Sequence, residues 1–240
     1  MISEKTFIRY YSSFWEQLLP GIDNYIRMVN SGLKERLFTP IITDDIPKRR
    51  ALINGMAFKL FHKCHNKEII FENIASLAPD SPEINEIQDT VLRDMANLDN
   101  SDTFKEKLSL NEFIILQNLT HRLYKYFSKK KDVIIYPKFQ GCGLLFNCSG
   151  DAIYENNLVE IKAGNTNFGR HDFYQLFTYG ALNYVSYDIN EISRFELFNI
   201  RTGLCWNENI ENVCEIIAGT SSAEIYSEII NYVSNNYRSI

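Results

Sequence analysis

The run Leu158-Val-Glu-Ile-Lys162 constrains this chain more than any other short segment. Leu158, Val159 and Ile161 mark residues 158–162 as a buried strand. Side chains alternate along a strand, so Glu160 and Lys162 must share one face of it. Just upstream, Tyr154-Glu-Asn-Asn157 is a polar stretch suited to a turn. Asp151 lies on the strand before that turn, and a hairpin brings it back towards Glu160. Two carboxylates with a backbone carbonyl, that of Ile161, suit Mg²⁺, a hard ion that takes oxygen ligands and keeps several waters. Beside such a metal, Lys162 is suited to orienting or deprotonating a water and to stabilising charge on a phosphorane. An acidic residue, a turn and a Glu-x-Lys strand also occur together by chance in proteins without this chemistry.

The segment after Lys162 adds to the pattern. Residues 164–170 form a polar, glycine-containing loop, and 171–186 read as an amphipathic helix. Phe173, Tyr174, Leu176, Phe177, Ala181, Leu182 and Tyr184 give it apolar bulk. Gln175 and Tyr179 are four apart and share a face, with His171 and Asp172 near it. They either support the strand and touch a nucleic-acid backbone, or are a solvated amide and a core aromatic.

Taken together, Gly150-Asp151, Glu160-Ile-Lys162 and Gln175-Leu-Phe-Thr-Tyr179 resemble the PD-(D/E)XK nuclease superfamily, in its RecB-like branch with a QxxxY motif. The resemblance spans residues 109–201. It implies an α/β (α+β) chain with a restriction-endonuclease-like αβββαβ core and a mixed central sheet. It also implies phosphodiester hydrolysis, usually in DNA, with Mg²⁺ or Mn²⁺ as cofactor. Asp151 and Glu160 would then bind metal, Lys162 would serve catalysis, and Gln175 and Tyr179 would support the site and the substrate strand. Gly150 stands where the namesake motif has Pro, and Gly equally allows a tight backbone approach. The iron–sulfur cysteines of some RecB-like members are absent.

Residues 110–128 read as a helix preceding this core. At about 100° per residue, Ile115, Leu116, Leu119, Leu123 and Tyr126 fall within about 60° of Glu112. Glu112 therefore faces the apolar side, where a carboxylate needs a partner or a metal. The superfamily often has an acidic residue on this helix that contributes to the metal site. Ser109-Leu-Asn-Glu112 is equally a capping box, and both roles remain open. His121 lies opposite, towards solvent. Residues 132–139 read as the first core strand, 142–146 as the start of the second, and 192–201 as the strand after the Gln/Tyr helix. Arg170 and Arg201 are candidate phosphate contacts, with a plain surface arginine the alternative for Arg201.

The first hundred residues read as helical, without a catalytic motif. Residues 3–19 carry Phe7, Tyr10, Tyr11, Phe14, Trp15 and Leu18 at helical spacing, and Pro20-Gly21 ends that stretch. A second helix covers 22–29, and a third begins near Pro47 with Asp45 close to its cap. Another covers 83–96. This places a boundary near residue 105, with a helical region over 1–105 for docking, dimerisation or capping, and the nuclease domain over 106–240. At the far end, Ser221-Ser-Ala-Glu224 is a second capping box opening a helix.

Composition narrows the class. An apolar fraction of 45 %, with 16 Phe and 14 Tyr, excludes a disordered chain. No run approaches the length of a membrane span, and Met-Ile-Ser-Glu-Lys is not a secretory signal, so a cytoplasmic location follows by default. Five cysteines without a C-x-x-C argue against structural zinc. His62 and His65 have no evident third ligand. Net charge is −5, whereas a protein that holds DNA tightly by itself usually shows a basic footprint. The expectation is a Mg²⁺-dependent DNA nuclease, acting as a subunit beside an ATPase or helicase in antiviral defence or DNA processing. A homo-oligomer is possible on this reading. The alternatives are a ribonuclease or a single-strand or branch nuclease of the same fold, and a non-catalytic interaction scaffold.

Overall fold

A hairpin organises the sheet. β5 (Ala152–Tyr154) runs antiparallel to β6 (Asn157–Lys162), pairing Ala152 with Val159 and Tyr154 with Asn157. The two-residue turn between them is made possible by Glu155, held at φ 42°. A parallel neighbour needs a crossover, and α7 (Arg170–Tyr184) provides it between β6 and β7 (Arg194–Asn199), which pairs Glu160 with Leu197. β8 (Leu204–Asn209) returns antiparallel after a turn at Gly203, φ 73°. The edges are β1 (Glu35–Arg36) and β2 (Ile134–Ile135), giving a mixed six-stranded sheet in the order β1-β8-β7-β6-β5-β2. The computed structural model describes residues 1–42, 49–95, 104, 106–186 and 190–236.

The chain divides into two compact units, and the division does not follow one cut near residue 105. The sheet unit comprises residues 1–37, 130–199 and 203–240, and the helical unit 38–129 with 200–202. In the sheet unit, α1 (Glu4–Tyr10), α2 (Ser12–Leu18), α3 (Ile22–Met28), α8 (Ile210–Ala218) and α9 (Ser222–Asn236) join α7. Phe7, Trp15, Tyr25, Phe173, Phe177, Trp206 and Ile229 share one core. The Trp15 ring stacks on Tyr174 of α7 with centroids 4.6 Å apart. Burial of these large rings explains why the first 37 residues belong here and not with the helices that follow them. The single helix expected over 3–19 is broken at Tyr11, ψ 43°, so Phe7 and Trp15 both turn inward.

Two expected strands differ. The run 132–139 splits into β2 and β3 (Lys138–Phe139), because Tyr136 sits at φ 56° and Pro137 has no amide to donate. Residues 142–146 form a loop instead of a strand, pinned by Leu144 N–H to the Val233 carbonyl at 2.9 Å and by Ile2 N–H to the Leu144 carbonyl at 2.7 Å. The strand there is the short β4 (Cys148–Ser149), paired with β3.

The helical unit holds α4 (Arg50–His65), a 3₁₀ turn (Phe71–Ser76), α5 (Pro82–Met95) and α6 (Leu110–Phe127). Leu52, Met56, Leu60, Ile87, Val91, Leu116 and Leu123 are buried within it. Gly55 lets α4 approach Val91, whose Cγ1 would lie 2.8 Å from an added Cβ. The expected start of the third helix, with Asp45 and Pro47, lies outside the described residues. The five cysteines are free thiols. Among the described residues no helix is long and apolar enough to cross a membrane.

Candidate active site

The site grows from the end of the β5–β6 ladder. Asp151 lies one residue before β5, at the break between β2 and β3. Its carbonyl accepts from Tyr136 N–H at 3.0 Å, and Gly150 N–H donates to the Pro137 carbonyl at 3.0 Å. A Cβ on Gly150 would stand 3.0 Å from the Phe139 ring and 3.6 Å from Tyr179, so the backbone passes close to both. With its backbone thus held, Asp151 turns its side chain across the hairpin, and Oδ2 accepts the Ile161 amide at 2.7 Å. The N–H and C=O of one strand residue point to the same side, so the Ile161 carbonyl faces the Asp151 side too.

Glu160 and Lys162 share the face that alternation requires, and α7 lies along it. Lys162 Nζ donates to Glu160 Oε1 at 3.0 Å and to Gln175 Oε1 at 3.1 Å, and stands 2.9 Å from Asp172 Oδ1. Gln175 Nε2 in turn donates to the Tyr179 hydroxyl at 2.9 Å. The Tyr179 ring stacks on Phe139, centroids 5.1 Å apart and nearly parallel. Burial, with the Glu160 charge adding to it, holds the Tyr179 hydroxyl well above its ordinary range. Tyr179 is therefore a core aromatic and a supporting residue at once, and Gln175 links it to Lys162. Asp172 is the member that the motif pattern leaves out, although helical spacing puts it near the same face.

The electrostatics of the carboxylates are unusual. Glu160 is buried, and its Oε2 has no hydrogen-bond partner. It stands close enough to Asp151 to feel that carboxyl's charge. Burial, and then the Asp151 charge, push the Glu160 carboxyl up to about 8. Burial also raises Asp151, against the opposing pull of the Ile161 amide and Lys162. Burial works to lower Lys162, yet the Glu160 and Asp172 carboxylates outweigh it and hold the ammonium above its ordinary range. Lys162 is thus a bound cation at neutral pH.

No family model and no curated protein matches the chain.

The other candidates sit elsewhere. Glu112 belongs to the helical unit, where Oε1 takes Arg49 Nε at 2.5 Å and Oε2 takes the Ser109 amide at 2.9 Å. Burial acts to raise its carboxyl, but Arg49 and Ser109 outweigh this and keep it below its ordinary value. These bonds describe the capping alternative and satisfy the carboxylate without a metal. Arg201 is 1 % exposed and donates to Asn54 Oδ1 at 3.0 Å. It is a buried structural arginine in the helical unit, which corrects both the surface and the phosphate-contact readings of it. Arg170 pairs with Asp23 and Glu16, so its guanidinium is engaged with two carboxylates of the N-terminal helices. His121 is exposed against the Phe71 ring. Among the described residues no three His, Cys, Asp or Glu side chains gather into a ready-made metal cage. One further cation escaped sequence reading: Lys5, on α1, is close enough for its charge to lower the Asp151 carboxyl. It lies far from the motif in sequence, and no spacing rule connects them.

Proposed function

We propose that this chain is a metal-dependent nuclease that hydrolyses phosphodiester bonds, with DNA as its substrate. The observation that carries the reading is the buried Oε2 of Glu160, which has no hydrogen-bond partner, on a carboxyl close enough to Asp151 to feel its charge. A buried carboxylate oxygen without a donor, beside a second carboxyl, needs either a proton or a cation. Lys162 offsets part of the Glu160 charge through Oε1 but leaves Oε2 without a donor.

A divalent ion fits the donor set. Asp151, Glu160 and the Ile161 carbonyl would hold it, all hard oxygen donors that leave positions for water and substrate. When bound, the ion would lower the pKa of a coordinated water and draw charge from the phosphoryl oxygens. The protein's own part is positional. Asp151 is held by the Ile161 amide, and Glu160 by Lys162. The Lys162 ammonium, charged at neutral pH, sets a fixed positive charge beside the carboxylate pair, suited to stabilising charge developing on the phosphate. Gln175 and Tyr179 keep Lys162 at its height above the strand.

The element order supports an αβββαβ, restriction-endonuclease-like reading of the core, with hairpin β5–β6, helix α7 and parallel β7 in succession. The net charge of −5 favours a partner that delivers the substrate, which fits a nuclease subunit acting beside an ATPase or helicase in antiviral defence or DNA processing.

The test is cleavage of supercoiled plasmid, linear duplex, single-stranded DNA and RNA in Mg²⁺ or Mn²⁺, with Lys162→Ala and Asp151→Ala purified alongside. Cutting of DNA by the wild type alone is the expected result. Cutting of RNA only would move the substrate to the ribonuclease alternative. Activity that survives both substitutions would overturn the nuclease reading. Calorimetric titration with Mg²⁺ separates the scaffold alternative, which should show no binding that depends on Asp151 and Glu160.

A further inference from the structure

We infer that Asp172 is a positioning residue for Lys162, fixing the ammonium relative to the carboxylate pair; this rests on the nuclease reading above and deepens it. An ammonium has three donors, and Lys162 has three acceptors around it: Glu160 Oε1, Gln175 Oε1 and Asp172 Oδ1, at 3.0, 3.1 and 2.9 Å. They come from two elements. Glu160 lies on the same strand as Lys162, whereas Gln175 and Asp172 are one helical turn apart on α7.

Asp172 differs from the other two in what its second oxygen does. Oδ2 accepts the Gly169 amide at 2.8 Å, capping the start of α7. One carboxylate therefore ties Lys162 to the point where the loop after β6 enters the helix. Without it, Nζ would retain Glu160 and Gln175 but lose its only charged contact from α7. The lysine side chain has four rotatable bonds, so a missing third contact frees the head group to move by an ångström or more. Displacements of that size at a reacting centre cost about 100-fold in rate.

Asp172→Asn separates this role from a structural one. The amide oxygen can still accept from Gly169 N–H, as a neutral Gln does at the third position of a capping box, so the helix start is kept. What is lost is the charge and the acceptor facing Lys162, because the amide then turns its NH₂ towards the ammonium. The expected result is a fall in kcat for DNA cleavage in Mg²⁺ of about 10- to 100-fold, with KM and the unfolding midpoint nearly unchanged. An unchanged kcat, or a loss confined to KM, would overturn the inference.

A second readout needs no activity. The Lys162 ammonium signal in ¹H–¹⁵N spectra, assigned by its disappearance in Lys162→Ala, should be protected from exchange in the wild type and broadened in Asp172→Asn. An unchanged signal would overturn the positioning role. If the wild type cut no nucleic acid and the signal still broadened, the nuclease reading would fail and the positioning of Lys162 by Asp172 would stand.

Discussion

Replacing Glu160 with Gln should change how the stability of this protein depends on pH. The Glu160 carboxyl is displaced upward from 4.5 to about 8, chiefly by burial and then by the neighbouring Asp151. The folded state therefore binds a proton more tightly than the unfolded chain. Stability from this group is complete below pH 4.5 and is lost as pH rises to 8. At 1.36 kcal/mol per unit, the displacement corresponds to roughly 4–5 kcal/mol across that window. Asp151 is raised as well, so it acts in the same direction. Gln keeps the size and an acceptor for Lys162 Nζ, but cannot titrate. The assay is urea unfolding in EDTA at intervals from pH 5 to 8.5. The wild type should lose several kcal/mol more than Glu160→Gln between pH 5 and 8. Parallel profiles would refute the reasoning, because the carboxyl would then be no more basic folded than unfolded. At pH 8, added Mg²⁺ or Mn²⁺ should recover stability in the wild type and not in the variant. The ion would compete with the proton for the Glu160 carboxyl, so the recovery should fade at pH 5.

Two further substitutions test the supports of each unit. Tyr179→Phe keeps the stack on Phe139 but removes the acceptor for Gln175 Nε2. It should cost about 1–2 kcal/mol, read from denaturant midpoints, and lower cleavage less than Lys162→Ala does. Arg49→Met leaves Glu112 buried without its guanidinium. It should destabilise the chain by about 3–5 kcal/mol, and adding Glu112→Gln should return part of that loss; a cost below 1 kcal/mol would mean that the pair is not the anchor of α6.

Much of the site follows from local rules. Strand alternation put Glu160 and Lys162 on one face, and the Tyr154–Asn157 turn returned the chain so that Asp151 met the amide beside Glu160. Helical spacing put Gln175 beneath Tyr179. Ser109 with Glu112, and Ser221 with Glu224, make the reciprocal bonds that their spacing implies. The split of 132–139 was less legible, because the pattern of apolar residues runs through Tyr136 while its backbone turns to φ 56°. That turn is held by backbone bonds to Gly150 and Asp151, in the link between β4 and β5, which the local sequence does not reveal.

By itself, then, the sequence determined the hairpin, the crossover helix and the placement of three charged side chains on one side of them, since periodicity and turn chemistry act within a few residues. Tertiary structure alone decided that Asp172 closes the third donor of Lys162, that Arg201 is buried against Asn54, and that residues 1–37 pack with the sheet. Each of these outcomes depends on which distant residues share a core. Burial of Trp15 and Phe7 in the core of the sheet unit, or of the Arg201 guanidinium against the Asn54 amide oxygen, is stabilised by contacts that no spacing along the chain encodes.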